Sequence, residues 1–243
     1  MRNYKNETKN RIKFIRSLLA DAHADGIVYG NSGGKDSTLV GILCKMACDD
    51  TVGVIMPCES KQNYGTDKTD AEAVAKECNI EVRLLDLTKT KKALLHLLEN
   101  ETPLHARAAA NIAPRLRMTA LYAVASSENR LVAGTGNRSE RHMGYFTKWG
   151  DGACDFNPIG DLTVTEVYEF LKFLNAPENI IAKPPSAGLF DGQTDEQDMG
   201  ITYERIDRFI LDGVASKEDQ EIIARYHNAS GHKRRLPPIY GQD

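Results

Sequence analysis

The segment from Gly26 to Thr38 constrains this chain more than any other: Gly26-Ile27-Val28-Tyr29-Gly30, then Asn31-Ser32-Gly33-Gly34-Lys35-Asp36-Ser37-Thr38. The first five residues read as a short buried strand, and an apolar helix follows over 38–48. A strand that feeds a helix through a glycine-rich turn presents backbone N–H groups and a helix N-terminus to an anion, the geometry that cradles phosphate. The glycines let backbone approach a ligand, and Ser32, Ser37 and Thr38 add hydroxyl donors.

The same alternation continues. Residues 51–56 form a second strand ended by Pro57, and Ala71, Val74, Ala75 and Cys78 recur at helical intervals over 67–78. Residues 80–87 give a third strand, and Leu94, Leu95, Leu97 and Leu98 a further helix. Strand–helix–strand–helix–strand predicts an α/β fold, a parallel sheet flanked by helices on both faces. Upstream, Ile12, Phe14, Ile15, Leu18 and Leu19 give an amphipathic helix stopped by Gly26. Downstream come an Ala-rich helix over 106–127, bent or restarted at Pro114, and a strand over 131–134. Residues 137–161 have little periodicity, and helices resume over 164–174, 203–211 and 216–226, the last capped by Ser216. The polar stretch 187–199, with Gly188 and Gly192, reads as a mobile cover that excludes water from a reactive intermediate. A length of 243 residues suits one core, so 1–243 is expected to be a single domain.

Composition excludes several classes. A net charge of −3 argues against bulk nucleic-acid binding. No apolar run approaches a membrane span and Met1 to Asn10 is polar, so no membrane partner and a cytoplasmic location are expected. The five cysteines are odd in number and form no disulfide framework. Cys44 and Cys48 share a helix face and read as packing rather than metal ligands.

Two familiar phosphate loops do not fit. A Walker loop needs Ser or Thr after its lysine, whereas Asp36 follows Lys35, and the dinucleotide fingerprint Gly-x-Gly-x-x-Gly is absent. What stands there is Ser-Gly-Gly-x-Asp-Ser, which resembles the ATP pyrophosphatases, enzymes that cleave ATP between its α and β phosphates. That resemblance implies ATP contacts at Gly30, Asn31, Ser32, Gly33, Gly34, Lys35, Asp36 and Ser37, with Asp36 holding Mg2+ as pyrophosphate leaves.

Further motifs narrow it. Asn111-Ile112 with Arg115-x-Arg117-Met118, Gly134-Thr135-Gly136-Asn137, the run from Gly144 to Gly152, Lys183-Pro184-Pro185-Ser186 and His232-Lys233-Arg234 resemble, in order and spacing, the ammonia-dependent NAD synthetase family. The resemblance covers nearly the whole chain. It implies an adenine-nucleotide alpha-hydrolase-like, Rossmann-like fold and a homodimer with the dinucleotide bound across the interface. It also implies a reaction: nicotinic acid adenine dinucleotide (deamido-NAD), ATP and ammonia give NAD, AMP and pyrophosphate. Carried over by position, Glu140 becomes a second Mg2+ ligand, and Thr135 and Ser186 contact ATP. Arg115, Lys148, Asp155, His232 and Lys233 contact deamido-NAD. Read without the family, Glu140 is equally a surface glutamate, and His232 with Lys233 a solvated basic tail.

Ammonium must lose a proton before it attacks, and Asp151 is the candidate acceptor; its other reading is a turn-forming residue between Gly150 and Gly152. No glutaminase module fits in this length, so free ammonia or a separate ammonia-supplying protein must provide nitrogen. Two departures from the family pattern stand out. Val164 occupies the place of a frequent lysine, and Cys58-Glu59-Ser60 replaces a histidine and glycine. A tRNA-thiolating relative would want paired cysteines and a basic surface. A GMP-synthetase-like one would want a different dimerisation domain, and a nucleotide sensor would not need Glu140, Asp151 and Lys148 beside Asp36.

Overall fold

Alternating side chains along one strand decide how the sheet is covered. Strand β1 (Gly26–Gly30) lies between β2 (Thr51–Ile55) and β4 (Arg130–Ala133), with β3 (Glu81–Leu84) at the outer edge. The order is therefore β3-β2-β1-β4, and every pairing is parallel. The computed structural model describes residues 2–59, 65–182 and 194–241. Ile27 and Tyr29 point to one face, into a cluster with Ile15 of α1 (Tyr4–Ala22), Leu39 and Leu43 of α2 (Lys35–Ala47) and Phe170 of α8 (Val164–Phe173). Val28, with Val52 and Val54 of β2, points to the other, against Ala113 and Ala125 of α6 (Ile112–Ser127). A pleat with a side-chain period of two, buried on both faces, explains why these strands read as continuous apolar runs.

A third cluster knits the C-terminal helices together. Met143 of α7 (Arg138–Met143), Val164 of α8, Met199 of α10 (Asp195–Met199), Ile201 between α10 and α11 (Tyr203–Asp212), Tyr203 and Ile206 of α11, and Ile223 of α12 (Lys217–Ala229) are its buried members. No helix among the described residues is long and apolar enough to cross a membrane.

Several boundaries differ from the sequence expectation. Helix α1 stops at His23, which takes a left-handed φ of 51° and returns its N–H to Ala20 and Leu19, so Gly26 is free to begin β1. The third strand is regular only over Glu81–Leu84, although the Leu85 and Leu87 N–H groups go on to donate to the Ile55 and Pro57 carbonyls beside β2. The Ala-rich stretch splits into α5 (Ala106–Ala110) and α6 at Asn111, and Pro114 sits in the first turn of α6, where a missing N–H costs nothing. The far end of the stretch 187–199 is helical rather than a loop. Thr194 caps α10 through a capping box with Gln197, and Met199 is buried; residues 183–193, Ser186 among them, lie outside the described residues. Cys44 is buried in the first cluster, and the Cys48 thiol faces the carbonyls of Asp25 and Asp50.

Tyr29 explains two glycines. Its ring fills the space beside Gly41 of α2 and Gly53 of β2, and a Cβ on Gly41 would collide with the phenol. The hydroxyl is buried with no hydrogen-bond partner among the described residues. Tyr29→Phe is therefore expected to raise stability by about 1 kcal/mol, read from the urea midpoint, because it removes an unsatisfied polar group and no bond. A loss of about 1 kcal/mol or more would contradict this packing.

Candidate active site

The chain steps outward from β1 to β2 and β3, then returns to place β4 on the other side of β1. That reversal opens a crevice at the carboxyl ends of β1 and β4, where open α/β sheets bind ligands. A cavity of about 870 Å³ lies there, walled by the loops after both strands and by residues of α6, α7, α10 and α12.

The loop after β1 is built for backbone display. Asn31 donates from Nδ2 to the Ala71 carbonyl of α3 (Thr66–Glu77) at 3.0 Å, tying the loop to its neighbour. Gly33 has a φ of +71°, and a Cβ there would press on the Asp67 and Ala71 backbone, so both conformation and contact require glycine. The Ser32 and Ser37 hydroxyls lie 3.0 Å apart, and Ser37 donates to the Gly34 carbonyl. Among the described residues no side chain caps the start of α2, whose N-cap is Gly34. Its first-turn N–H groups, which a helix leaves without internal partners, therefore remain for a ligand.

Three charged groups meet beside this loop. Lys35 donates from Nζ to Asp36 Oδ2 at 2.7 Å, and the Asn137 amide donates to Asp36 Oδ1 at 3.1 Å. Asn137 also caps α7, accepting from the Glu140 N–H while its own N–H reaches Glu140 Oε2 at 3.0 Å. One capping box thus fixes Glu140 and reaches across to Asp36. Glu140 opens on the cavity, yet protein encloses it; that enclosure and the Asp36 carboxylate push its carboxyl well above the ordinary glutamate value, against the pull of Lys35. Burial alone would depress Lys35, but Asp36 and Glu140 outweigh it and hold the ammonium above the ordinary lysine value.

Two carboxylates pressed together are a fit for a hard divalent cation. Among the described residues no group of three or more histidine, cysteine, aspartate or glutamate side chains is placed to hold a metal by itself. Mg2+ typically takes one or two carboxylates and completes its shell with water and substrate phosphates, so Asp36 and Glu140 suffice.

Asp151 stands on another part of the wall. Its Oδ1 accepts the Thr147 N–H at 3.0 Å, and Thr147 Oγ1 in turn donates to Asn111 Oδ1 at 2.8 Å. Asp151 is exposed to the cavity but ringed by protein, which pushes its carboxyl above the ordinary aspartate value; the Thr147 N–H and the Lys233 ammonium pull the other way. Lys233 donates to the carbonyls of Gly144 and Phe146, both at 2.8 Å, and holds that turn against the Phe146 ring.

Thus Gly30, Asn31, Ser32, Gly34, Lys35, Asp36, Ser37, Thr135, Glu140, Asp151 and Lys233 all face one cavity. Gly33 supports the loop from behind. Arg115, Lys148, Asp155 and His232 lie outside the cavity wall. Arg115 is exposed and donates to the Lys148 carbonyl at 3.3 Å, and the Lys148 ammonium rests over the Trp149 ring. Asp155 accepts from the Val132 N–H at 2.7 Å and from the Tyr122 hydroxyl at 3.1 Å, which pins the segment after the cavity to β4. His232 is exposed on the 3-10 turn Gly231–Lys233. Val164, in place of the family lysine, is buried in the third cluster. Asn137 received no role from sequence, although Asn-x-x-Glu at 137–140 is a capping-box spacing that could have found it.

The chain is similar to known proteins over nearly its whole length. A family model described as NAD synthase matches residues 7–237. The NH(3)-dependent NAD(+) synthetase of Carboxydothermus hydrogenoformans is 45% identical over 240 residues, 98% of each chain. That of Archaeoglobus fulgidus is 38% identical over 98% of this chain and 97% of its own. Among solved structures, the NMN synthetase of Francisella tularensis superposes with a TM-score of 0.93 at 37% identity over 100% of both chains. The NH3-dependent NAD synthetase of Campylobacter jejuni gives 0.80 at 29% identity over 98% of this chain and 99% of its own. On the match over 7–237 and these near full-length relatives, this chain belongs to the NAD synthase family.

Proposed function

We propose that this chain is an ammonia-dependent NAD synthetase that adenylates the pyridine carboxylate of deamido-NAD and then replaces AMP with ammonia. The observation that carries the reading is one cavity holding an uncapped helix N-terminus, the Asp36–Glu140 pair and Asp151 together. In the first step a carboxylate oxygen of the substrate attacks the α-phosphorus of ATP, and the bond to the β-phosphate bridge breaks. The loop N–H groups with Ser32, Ser37 and Thr135 receive the phosphates; the Ser186 contact rests on the resemblance alone. Asp36 and Glu140 would hold Mg2+, which supplies neutralising charge to the departing pyrophosphate. In the second step Asp151 takes a proton from ammonium, the nitrogen attacks the acyl carbon, and the bond to AMP breaks. A further proton leaves the nitrogen as the amide forms. The nitrogen arrives as free ammonia or from a separate protein.

Of the residues assigned to the dinucleotide, only Lys233 lines the cavity. Arg115, Lys148, Asp155 and His232 serve if the substrate runs over the surface towards a second copy. Along α1, Ile15 is buried and Leu18 and Leu19 pack on the first cluster, while Phe14 stays 45% exposed. A homodimer would draw on the N-terminal helix α1 through Phe14, on the outer side of the Ala-rich α6, and on α4 (Thr88–Glu99), which buries no residue and leaves Leu97 64% exposed. Sedimentation is expected at twice the 26.9 kDa chain mass, and Leu97→Asp to shift it towards monomer. A fully active monomer would contradict this.

A second reading differs in substrate only. The NMN synthetase structure fits this chain more closely than the NAD synthetase of C. jejuni, 0.93 against 0.80. That favours testing amidation of the acid mononucleotide by the same two steps. Offered deamido-NAD or nicotinic acid mononucleotide with ATP, Mg2+ and ammonium, the protein is expected to show the higher kcat/KM on the dinucleotide. Preference for the mononucleotide would replace the NAD reading with the NMN one, and turnover of neither would sink both.

A further inference from the structure

Lys35 is a lysine held in an unusual way. It is only 6% exposed, yet it lines the cavity. Among the described residues its ammonium has one hydrogen-bond partner, Asp36 Oδ2 at 2.7 Å. Besides the Glu140 carboxylate, two aromatic rings flank it: Nζ lies 6.0 Å from the centroid of the Tyr168 ring and 5.9 Å from that of Tyr203. Tyr203 is itself locked, its hydroxyl donating to Asp195 Oδ2 at 3.1 Å and its backbone N–H to Glu196 Oε1 at 2.7 Å.

We infer that Tyr168 and Tyr203 are positioning residues that aim the Lys35 ammonium at the phosphates of ATP, an inference that rests on the ATP-dependent reading above. A cation against ring faces is stabilised without giving up any N–H donor, because the attraction is to the ring quadrupole. Carboxylates on every side would instead occupy its donors and cancel its charge. A lysine stem is long and flexible, so two walls that restrict it settle the ordering cost before the ligand arrives. The result is a fixed positive charge beside Asp36 and Glu140, next to the uncapped start of α2, where a triphosphate gains negative charge as pyrophosphate leaves. Lys35 transfers no proton in that step; it receives charge. Tyr203, on α11 and bonded to Asp195 of α10, also links this cation to both helices.

Calorimetric titration of the whole protein with magnesium pyrophosphate and, separately, with AMP tests this without relying on turnover. Native protein is expected to bind both. Lys35→Met is expected to weaken pyrophosphate about tenfold and leave AMP unchanged. Tyr168→Leu, chosen because Tyr168 is only half-buried, is expected to do the same, and Tyr168→Phe to restore affinity. In the Lys35→Met background, Tyr168→Leu should cost nothing further, since residues acting through one another are not additive. Additive losses, equal weakening of pyrophosphate and AMP, or native-like pyrophosphate binding by Tyr168→Leu would each overturn the cradle while leaving the ATP reading intact. Failure of the native protein to bind pyrophosphate and AMP would overturn both.

Discussion

Asp36→Asn is expected to lower pyrophosphate release by more than about a hundredfold while the circular dichroism spectrum stays native. Partners one shell away from a metal already cost about 10–100-fold, and Asp36 is assigned as a direct ligand. The substitution preserves size but removes the charge that Lys35 and Asn137 converge on. Because Asn137 also caps α7, the variant keeps Glu140 in place and isolates the loss of charge from any loss of fold. Glu140→Gln should act in the same direction, with both variants requiring more Mg2+ for half-saturation. Near-normal pyrophosphate release from Asp36→Asn would remove it from the mechanism.

The second large effect separates the two chemical steps. Asp151→Asn is expected to slow amide formation about a hundredfold or more, the range of a lost general base. Adenylation should continue, so the amide formed per pyrophosphate falls from one towards zero as water consumes the intermediate. Asparagine still accepts the Thr147 N–H, and the loop conformation is therefore kept. The pH dependence has a definite sign. Asp151 must be ionised to take a proton from ammonium, so at constant, saturating ammonium the native rate falls as pH drops through its pKa, which enclosure sets above the ordinary aspartate value. Asp151→Asn should lose that limb. Equal loss of both steps, or an unchanged limb, would give Asp151 the turn-forming role instead.

How much of this was legible in the sequence follows from the length and burial of each element. Strands β1, β2 and β4 are apolar runs bounded by turns or glycines and were found within about a residue, since strands buried on both faces leave an unbroken signal. The edge strand β3 is regular only over Glu81–Leu84, yet Leu85 and Leu87 still pair with Ile55 and Pro57, so the apolar run to 87 follows the pairing rather than the regular strand. Helix α7, at six residues, is too short for periodicity to register, and it carries Glu140. Helix α10 escaped because its sequence is polar, though Thr194 and Gln197 stand at capping-box spacing. The phosphate loop was readable because its backbone demands glycine at fixed places. The tyrosine cradle was not. Tyr168 and Tyr203 lie 35 residues apart and meet Lys35 only through the packing of α8 and α11, which no local pattern encodes. Arg115, Lys148 and His232 were placed by family position, and a single chain leaves them on its surface.

The central claim is that the substrate carboxylate is activated as an adenylate, and an isotope tests it most directly. Deamido-NAD carrying oxygen-18 in its carboxylate is turned over with ATP, Mg2+ and ammonium, and the products are resolved by phosphorus NMR and mass spectrometry. An acyl adenylate leaves one substrate oxygen on the α-phosphorus when the acyl–oxygen bond breaks, so the label is predicted in AMP, one atom per NAD formed. Label in pyrophosphate or inorganic phosphate, or ADP in place of AMP, would contradict the account.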